Sequence, residues 1–331
     1  MRHKTYFSLF APALSLLRRR GFPPFISWNL TFKCSRDCLY CGASLATGPE
    51  LDASGVMEGL DELWRLGARW ITFGGGEPLS RPDIEKILGH AAGLGFRVFL
   101  STNGGGAAAK SAALKHVSHV NLSLDGERAV NDKIRGEGSY DEAVAAIKVC
   151  RELGVPVSLL CVLSALNLDQ AEKVLDLAAA NGITVMFQPA SLRRNSSVSE
   201  NPIAPPPQAY RAAIERIIGL KRAGAPVRNS FAGLRQLAGW PDPVTVHCPA
   251  GSLAAVVEPD GTLTACHLEK SGLPAPRPFG HWAGGLGGGA PAACSGCCCA
   301  PLVELGLIRG LNLEAAWNAL RMTLKDSRRS Q

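Results

Sequence analysis

The sequence predicts an α/β protein in which a partial (β/α)6 TIM-like barrel precedes a small C-terminal, cysteine-rich domain of β-hairpin and loop. Three observations predict it. Strand and helix patterns alternate between residues 26 and 190, polar or glycine-rich motifs follow the strands, and six cysteines lie between residues 248 and 299. Alternation of this kind builds right-handed βαβ units on a parallel sheet. Six strands are too few for a complete barrel of eight.

Six apolar segments have the length and composition of strands: 25–30, 69–75, 96–104, 119–126, 155–163 and 183–190. Five segments between them have the apolar spacing of helices: 53–67, 81–95, 107–117, 139–154 and 167–182. Most of these helices end at glycine, as helix C-caps do. The strands are interpreted as apolar throughout, as expected where both faces of a parallel sheet are covered. Because active sites of such sheets lie beyond the carboxyl ends of the strands, the motifs KCSRDCLYC, GGGEP, STNG, SLDG and QPA should share one mouth.

The other segments complete a division into five parts around the barrel core at 26–190. We predict an N-terminal helix at 1–25, a linker with bridging helices at 191–244, the cysteine-rich domain at 245–300 and a helical tail at 301–331. The first part has an apolar stretch between basic ends, and this stretch is too short to cross a bilayer. We interpret it as a helix that covers the main domain, and contact with a membrane surface is the alternative.

The charge and the cysteines restrict the class of protein. The net charge is +7, but the basic runs are short and contain no aromatic residues, which favours a solvated basic surface over a nucleic-acid partner. Nine of the eleven cysteines fall into two groups, and no secretion signal precedes them. Grouped cysteines of this kind are typical of metal ligands in the reducing cytoplasm rather than of disulfides. Cys150 and Cys161 lie in apolar segments and are interpreted as small buried hydrophobes.

The first cysteine group has the spacing C-x3-C-x2-C, at Cys34, Cys38 and Cys41. Three thiolates on a short loop can hold three irons of a [4Fe–4S] cubane, whose ordinary complement is four cysteines. The fourth iron then stays open for a ligand from outside. The alternative is a zinc site, which needs a fourth protein ligand. Asp37 lies within the loop, although nothing in its placement marks it as that ligand.

The loop KCSRDCLYC resembles the cluster motif of the radical S-adenosylmethionine (SAM) enzymes, C-x3-C-x-aromatic-C, with Tyr40 in the aromatic place. The order of the later motifs agrees, and the resemblance extends over the predicted barrel and the cysteine-rich domain. It implies that Cys34, Cys38 and Cys41 ligate a [4Fe–4S] cluster whose open iron binds SAM. It also implies the family's chemistry: the reduced cluster cleaves SAM to a 5′-deoxyadenosyl radical, which abstracts a hydrogen atom from the substrate.

The resemblance also implies a SAM-binding set at the strand ends. GGGEP looks like the family's GGE motif, with Gly75, Gly76 and Glu77 at the SAM ammonium group, where glycine lets the backbone approach closely. The other candidates share a position near the predicted mouth: Tyr40 near the adenine, Ser101, Asn103, Ser123, Asp125, Arg135 as a carboxylate contact, and Gln188. STNG and SLDG are also ordinary turn sequences, and Arg135 could instead form a surface ion pair. No catalytic acid or base is identified.

The second cysteine group resembles the auxiliary-cluster domain of SPASM/Twitch radical SAM enzymes. The opening C-x12-G-x4-C precedes a hairpin signal at PDG, and no cysteine follows the CSGCCC run. The shorter Twitch type, with one auxiliary [4Fe–4S] cluster, therefore matches better than a full SPASM domain. The implied ligands are Cys248, Cys266, Cys294 and Cys297, and Cys299 could replace either of the last two. The alternative is a structural zinc ribbon on the same cysteines.

Together these features predict a cytoplasmic radical SAM oxidoreductase or maturase that performs a net oxidation and takes electrons from a flavodoxin- or ferredoxin-type donor. Only 33 residues precede Cys34, so we expect no separate peptide-binding domain there. This expectation favours a small natural product or sugar as substrate, or a peptide delivered by a partner protein. The alternatives are a non-catalytic zinc or redox protein on the same barrel and a radical SAM enzyme that modifies tRNA or a cofactor.

Overall fold

The computed structural model describes residues 22–194, 200–242, 247–266, 275–286, 297 and 299–329. One eight-stranded sheet organises them, in the order β6-β5-β4-β3-β2-β1-β7-β8. Its strands are β1 (Phe25–Asn29), β2 (Trp70–Gly74), β3 (Arg97–Thr102), β4 (His119–Ser123), β5 (Val157–Leu163), β6 (Thr184–Pro189), β7 (Ala254–Val257) and β8 (Leu263–Thr264). All neighbours are parallel except β7 and β8. The α/β class, the parallel sheet and the PDG hairpin are confirmed.

Ten α-helices accompany the sheet in the described part of the chain: α1 (Ala53–Leu66), α2 (Ile84–Leu94), α3 (Ser111–Leu114), α4 (Arg128–Arg135), α5 (Ser139–Glu152), α6 (Ala171–Ala180), α7 (Pro207–Arg222), α8 (Phe231–Leu237), α9 (Ala300–Arg309) and α10 (Leu313–Arg329). Five of them lie in the predicted crossover segments. The third is much shorter than the prediction of 107–117, because turns occupy residues 105–110. Helix α4 was not predicted, since its buried face includes the polar residues Asn131 and Arg135. The predicted helix at 1–25 lies outside the described residues up to Phe22, and β1 begins at Phe25.

The inner face of the sheet carries polar as well as apolar side chains, so the prediction of strands that are apolar throughout was wrong. Trp28 points away from the barrel interior and packs against α1. A Cβ added to Gly59 of that helix would lie only 2.5 Å from the Trp28 ring. The alternate residues therefore face the barrel interior. Half of them are Ser, Thr, Asn or Gln: Ser27, Asn29, Thr72, Ser101, Asn121, Ser123, Ser158, Thr184 and Gln188. The large apolar residues on the same face are Phe25, Trp70, Phe99, Leu160, Val162 and Met186. Several of them stay half-buried rather than fully covered, as expected for the wall of a cavity.

Helix α9 bridges the two ends of the open sheet. At its start, the Ala300 backbone N–H donates to Gln188 Oε1 at the end of β6, at 3.2 Å. At its other end, Arg309 donates to the Cys248 carbonyl oxygen at 2.8 Å and to Ser252, in the segment that leads into β7. The helix thus connects the last strand of the barrel to the cysteine-rich hairpin.

Helix α10 packs against the opposite end of the barrel, where the strands begin. Asp326 Oδ2 lies 2.8 Å from Arg228 Nη2 and 3.3 Å from Nδ1 of His119, the first residue of β4. Burial opposes ionisation of Asp326, but the hydrogen bond to His119 and the charge of Arg228 hold the pKa of its carboxyl below the ordinary value. No helix in the described ranges has both the length and the apolar composition needed to cross a bilayer.

Candidate functional site

Three cysteine thiols lie together on the loop that follows β1, at the mouth of the barrel. Burial raises the pKa of the Cys38 thiol to about 11, and the neighbouring Cys41 and Cys34 thiols add to the rise. Burial likewise raises the pKa of Cys34, and Cys41 again contributes. Thiols that perturb one another in this way are close in space, and positive metal centres would favour their ionised forms.

An N–H group approaches each of the three sulfur atoms, two of them from distant parts of the chain and one from the residue two positions after Cys41. The donors are Asn103 Nδ2 to Cys34 Sγ at 3.9 Å, Arg135 Nη1 to Cys38 Sγ at 3.9 Å, and the Ala43 backbone N–H to Cys41 Sγ at 3.4 Å. Donors of this kind stabilise thiolate sulfur. A donor set of three cysteines, each accompanied by an N–H group, fits an iron–sulfur cluster, whose properties depend on hydrogen bonds to sulfur.

The glycines of GGGEP follow β2 and hold the cysteine loop by its backbone. Gly76 N–H donates to the Thr31 carbonyl oxygen at 2.7 Å, and Glu77 N–H donates to that of Lys33 at 2.8 Å. A Cβ on Gly76 would lie 2.1 Å from the Lys33 oxygen, and Gly75 has φ +111°. Both positions therefore require glycine.

Glu77 is buried, and its carboxylate faces the end of β3. It accepts from the Leu79 N–H at 3.0 Å, from Thr102 Oγ1 at 2.7 Å and from the Asn103 N–H at 2.8 Å. Burial raises the pKa of Glu77, and these three donors oppose the rise. The carboxylate thus fixes the STNG turn, which in turn presents Asn103 to Cys34.

Tyr40, Asp125 and Arg135 form a buried cluster beside Cys38. Asp125 Oδ2 accepts from Tyr40 Oη at 2.8 Å and from Arg135 Nε at 2.6 Å, while Arg135 Nη2 also contacts the Tyr40 hydroxyl. Asp125 Oδ1 accepts from the Val162 N–H at 2.8 Å. Burial raises the pKa of Tyr40 well above its ordinary value. Arg135 is paired with Asp125 in this structure, so the role predicted for it at a SAM carboxylate is untested.

The other predicted residues lie on the inner face of the sheet. Ser101 of β3 stands opposite Gly74, whose added Cβ would lie 3.8 Å from the Ser101 Cβ. Ser123 ends β4 on the same face, half-buried. Gln188, on β6, is instead engaged by the start of α9. All three are near strand ends, and no contact of the described residues assigns any of them to a ligand.

Three contributors to the site were missed in the sequence. Thr102 is the neighbour of both predicted residues in STNG, and its hydroxyl is the one that reaches Glu77. Arg194 donates through Nη2 to the Cys41 carbonyl oxygen at 2.9 Å, although it belongs to one of the short basic runs that were interpreted as solvated surface. Asn167 Nδ2 donates to the Asp125 carbonyl oxygen at 2.7 Å. Strand alternation places Thr102 on the outer face of β3, so its contact with Glu77, like the contacts of the other two, depends on the tertiary fold.

The second cysteine group collects where the hairpin meets the start of α9. Burial raises the pKa of Cys297 well above its ordinary value, and the thiols of Cys299, Cys266 and Cys248 contribute to the rise. These four sulfur atoms therefore lie near one another, and four thiols suit either an iron–sulfur cluster or zinc. The predicted ligand Cys294 lies outside the described residues.

Within the described residues, no group of three or more His, Cys, Asp or Glu side chains is arranged to hold a single metal ion. A cubane bonds each thiolate to a different iron, so its ligands need not converge on one point. The chemistry of both donor sets, all cysteine sulfur, thus fits iron–sulfur clusters.

Comparison with known proteins gives a consistent family. The profile of the Radical SAM superfamily matches residues 28–178. Mycofactocin maturase MftC of Mycobacterium ulcerans is 30% identical over 256 residues, which are 74% of this chain and 68% of that protein. The MftC of Mycolicibacterium smegmatis is 29% identical over 265 residues, 74% of this chain and 64% of that protein.

Other similar proteins are matched over a smaller share of their length. Fe-coproporphyrin III synthase of Methanosarcina barkeri is 33% identical over 161 residues, 46% of this chain and 40% of that protein. The matched region thus spans 64% of the Mycolicibacterium smegmatis protein and 40% of the Methanosarcina barkeri synthase, so this chain corresponds to only part of the length of these relatives. The structure of Streptococcus suis SuiB bound to S-adenosylmethionine has a TM-score of 0.61 at 17% identity, over 74% of this chain and 60% of that one. At this identity the likeness concerns the fold.

Proposed function

Because the chain belongs to the radical SAM superfamily, we propose that it cleaves SAM reductively and oxidises a polar substrate by hydrogen abstraction. When bound, the cluster supplies the electron that splits SAM into methionine and a 5′-deoxyadenosyl radical. The observation that carries the proposal is the convergence of Cys34, Cys38 and Cys41 at the barrel mouth, each with its own N–H donor.

Residues at different positions of this chain would bind the cluster, SAM and the substrate. Cys34, Cys38 and Cys41 would hold the cluster, and the glycine-lined turn at Gly75 and Gly76 would let the backbone approach the methionine part of SAM. The half-buried polar inner face of the sheet would bind the substrate through hydrogen bonds. The interior must exclude water during turnover, and α9, which connects the two ends of the sheet, contributes to that enclosure.

The second cysteine group would hold one auxiliary [4Fe–4S] cluster. Cys248 and Cys266 both contribute to the raised pKa of Cys297, so we propose these three as ligands, with either Cys294 or Cys299 as the fourth. Four protein ligands would leave no open iron, which suits an electron relay and hence a net oxidation. Zinc on the same cysteines is the competing occupant.

A peptide is the substrate class that we favour. Relatives of the chain include proteins named mycofactocin maturase and PqqA peptide cyclase. Serine, threonine and asparagine along the inner face offer donors and acceptors that suit a peptide or a sugar. A relative is also named Fe-coproporphyrin III synthase, so a tetrapyrrole is the rival substrate class.

The proposal is tested on anaerobically purified protein by measuring iron, sulfide and zinc, with the Cys34→Ala/Cys38→Ala/Cys41→Ala variant alongside. Two cubanes predict about eight irons in the wild type and about four in the variant. Dithionite-reduced wild type should form 5′-deoxyadenosine from SAM, and the variant should not. SAM cleavage that survives in the variant would contradict the proposal.

Two further results test which metal the cysteine groups bind and which substrate class the protein uses. About four irons with one zinc would make the second group structural, and zinc alone at both groups would end the radical mechanism. For the substrate class, 5′-deoxyadenosine formation is compared with short peptides and with a panel of carboxylated tetrapyrroles added separately. Stimulation by a tetrapyrrole and by none of the peptides would overturn the peptide assignment.

A further inference from the structure

Arg97 begins β3 on the face of the sheet that lines the barrel interior. Val98 and Leu100 are fully buried on the outer face, whereas Arg97 and Phe99 alternate with them and are half-buried. The guanidinium carbon of Arg97 lies over the Phe99 ring, 5.9 Å from its centroid. Because Phe99 is the next inner-face residue toward the mouth, the Arg97 side chain extends along the barrel interior rather than away from the strand starts.

The guanidinium of Arg97 has no hydrogen bond or ion pair with a described residue. Asp326 is the carboxylate whose charge acts on Arg97, but both of its oxygens already accept from Arg228, at 2.8 and 3.4 Å. Burial lowers the pKa of Arg97, and although Asp326 opposes this shift, the charge of Arg228 adds to it. Two guanidinium groups therefore share one carboxylate, and the local charge is positive.

Arg69 shows how a comparable arginine is satisfied elsewhere in this fold. It precedes β2, and its guanidinium carbon lies 4.0 Å from the ring centroid of Trp64 on helix α1, outside the barrel. Its Nη1 donates to the Trp64 and Ala68 carbonyl oxygens at 2.8 and 2.7 Å. Arg97 has a ring contact without such hydrogen bonds, so its donors can serve a ligand inside the barrel.

Aromatic rings line the barrel beside Arg97. Trp70 is its register partner on β2, and Phe25 stacks on Trp70 with the ring centroids 4.8 Å apart. Both rings are half-buried. Apolar surroundings strengthen a charge-assisted hydrogen bond by excluding water. A carboxylate fits this site in geometry and in charge, because one unpaired guanidinium offers a two-donor fork and a single positive charge.

We propose that Arg97 binds a carboxylate group of the substrate inside the barrel. For the position of the reacting carbon, at the mouth beside Gly75, this site depends on the proposed function. Ser101 is level with Gly74 at the mouth, and Phe99 lies two residues below it on β3. The guanidinium over Phe99 is therefore on the order of 10 Å from the mouth. An extended peptide covers that distance in about three residues, so the carboxylate would lie about three residues from the modified one.

Isothermal titration calorimetry on anaerobically purified, cluster-loaded protein tests this site. Three carboxylate probes represent three sources: a short peptide with a free C terminus, a short peptide with one glutamate side chain, and 3-phenylpropionate. Each is compared with the matching amide. We expect the wild type to bind at least one carboxylate about tenfold or more tightly than its amide. The pair with the largest difference identifies the source of the carboxylate.

Three variants locate the preference. Arg97→Gln should lose it, and Arg97→Lys should keep only part of it, because lysine has the charge without the guanidinium fork. Arg69→Gln is the matched control and should keep the full preference, since Arg69 lies outside the barrel. Circular dichroism checks that each variant folds.

The melting temperature without any probe gives an independent readout. Because burial and Arg228 both disfavour the charge of Arg97, removing that charge should stabilise the protein. We therefore expect Arg97→Gln to melt at a higher temperature than the wild type. Arg69→Gln should melt at a lower temperature, because it loses its two hydrogen bonds to carbonyl oxygens.

Four results would overturn the proposed carboxylate site. They are equal or absent binding of the carboxylates and their amides by the wild type, a preference that survives in Arg97→Gln, a lower melting temperature of Arg97→Gln, and tighter binding of phenyl phosphate than of every carboxylate. Formation of 5′-deoxyadenosine by the wild type without a probe tests the proposed function separately. SAM cleavage without a carboxylate preference refutes the Arg97 site alone, and a carboxylate preference without SAM cleavage refutes the radical mechanism alone.

Discussion

Replacing Asp125 with asparagine should destabilise the protein strongly, because it leaves a buried charge without its partner. Asp125 has no exposed surface, and Arg135 is only 6% exposed. The carboxylate accepts from Arg135, from Tyr40 and from the Val162 N–H. An asparagine has nearly the same shape and keeps one acceptor oxygen. Its amide N–H₂ group would replace the other oxygen, which accepts from two donors, and an N–H₂ group cannot accept those hydrogen bonds. Breaking a buried ion pair by removing one partner costs about 3–5 kcal/mol, and we expect a loss of that size.

The assay is urea unfolding followed by circular dichroism, with the midpoint and slope fitted for wild type and variant. The matched control is Glu172→Gln, which breaks the exposed pair with Arg216 and should change little. Adding Arg135→Gln to Asp125→Asn should restore part of the lost stability, since the unpaired charge is then gone. A loss below about 1 kcal/mol for Asp125→Asn would refute the reasoning, because it would mean that water or another group compensates Arg135.

Two other perturbations have defined outcomes. Gly76→Ala should lower the iron content, because the new Cβ would lie 2.1 Å from the Lys33 carbonyl oxygen and displace the cysteine loop. The control is Gly93→Ala in helix α2, where an added Cβ would have no atom within 4 Å. This control should keep its full iron content and gain about 0.5–1 kcal/mol of stability, because alanine favours the helix more than glycine does. Burial lowers the pKa of His119 in the folded protein, although Asp326 opposes this shift. His119 in the unfolded chain therefore binds a proton at a higher pH, about 6.5, than it does in the folded protein. The folded state loses stability as the pH falls below that value. The melting temperature should therefore fall more between pH 7.5 and 5.5 in the wild type than in His119→Gln, and equal slopes would contradict this.

The sequence was sufficient for features that depend on local patterns. Strand and helix alternation predicted the order of β1–β6, and the PDG turn predicted the β7–β8 hairpin. The glycine requirement at Gly76 also followed from its motif, although its cause is the Lys33 carbonyl rather than a ligand alone. These predictions succeed because short-range geometry and backbone sterics decide them.

The contacts between distant segments could not be predicted in the same way. The role of Arg135 at a SAM carboxylate stays a prediction, but its pairing with Asp125, ten residues earlier, was not foreseen. Helix α4 was missed because its buried face is polar and matches no apolar spacing. The polar inner face was missed because alternating serine and asparagine in short strands were outweighed by their apolar neighbours. In each case a polar group that we expected in a loop or on the surface lies inside the fold, because a residue from another segment of the chain forms a hydrogen bond with it.

The distribution of contacts around the cysteine loop indicates that the protein shapes this loop before any metal arrives. The backbone of the Gly76–Glu77 turn holds its start, Arg135 and Asn103 approach two of its sulfur atoms, and Arg194 holds the Cys41 carbonyl. These groups lie after β2, after β3, in helix α4 and in the segment that follows β6, so their positions are fixed by the fold rather than by the cluster. A loop ordered in advance loses less conformational entropy when it binds its ligand. It follows that substitutions at the strand ends should weaken cluster binding even where they touch no sulfur atom.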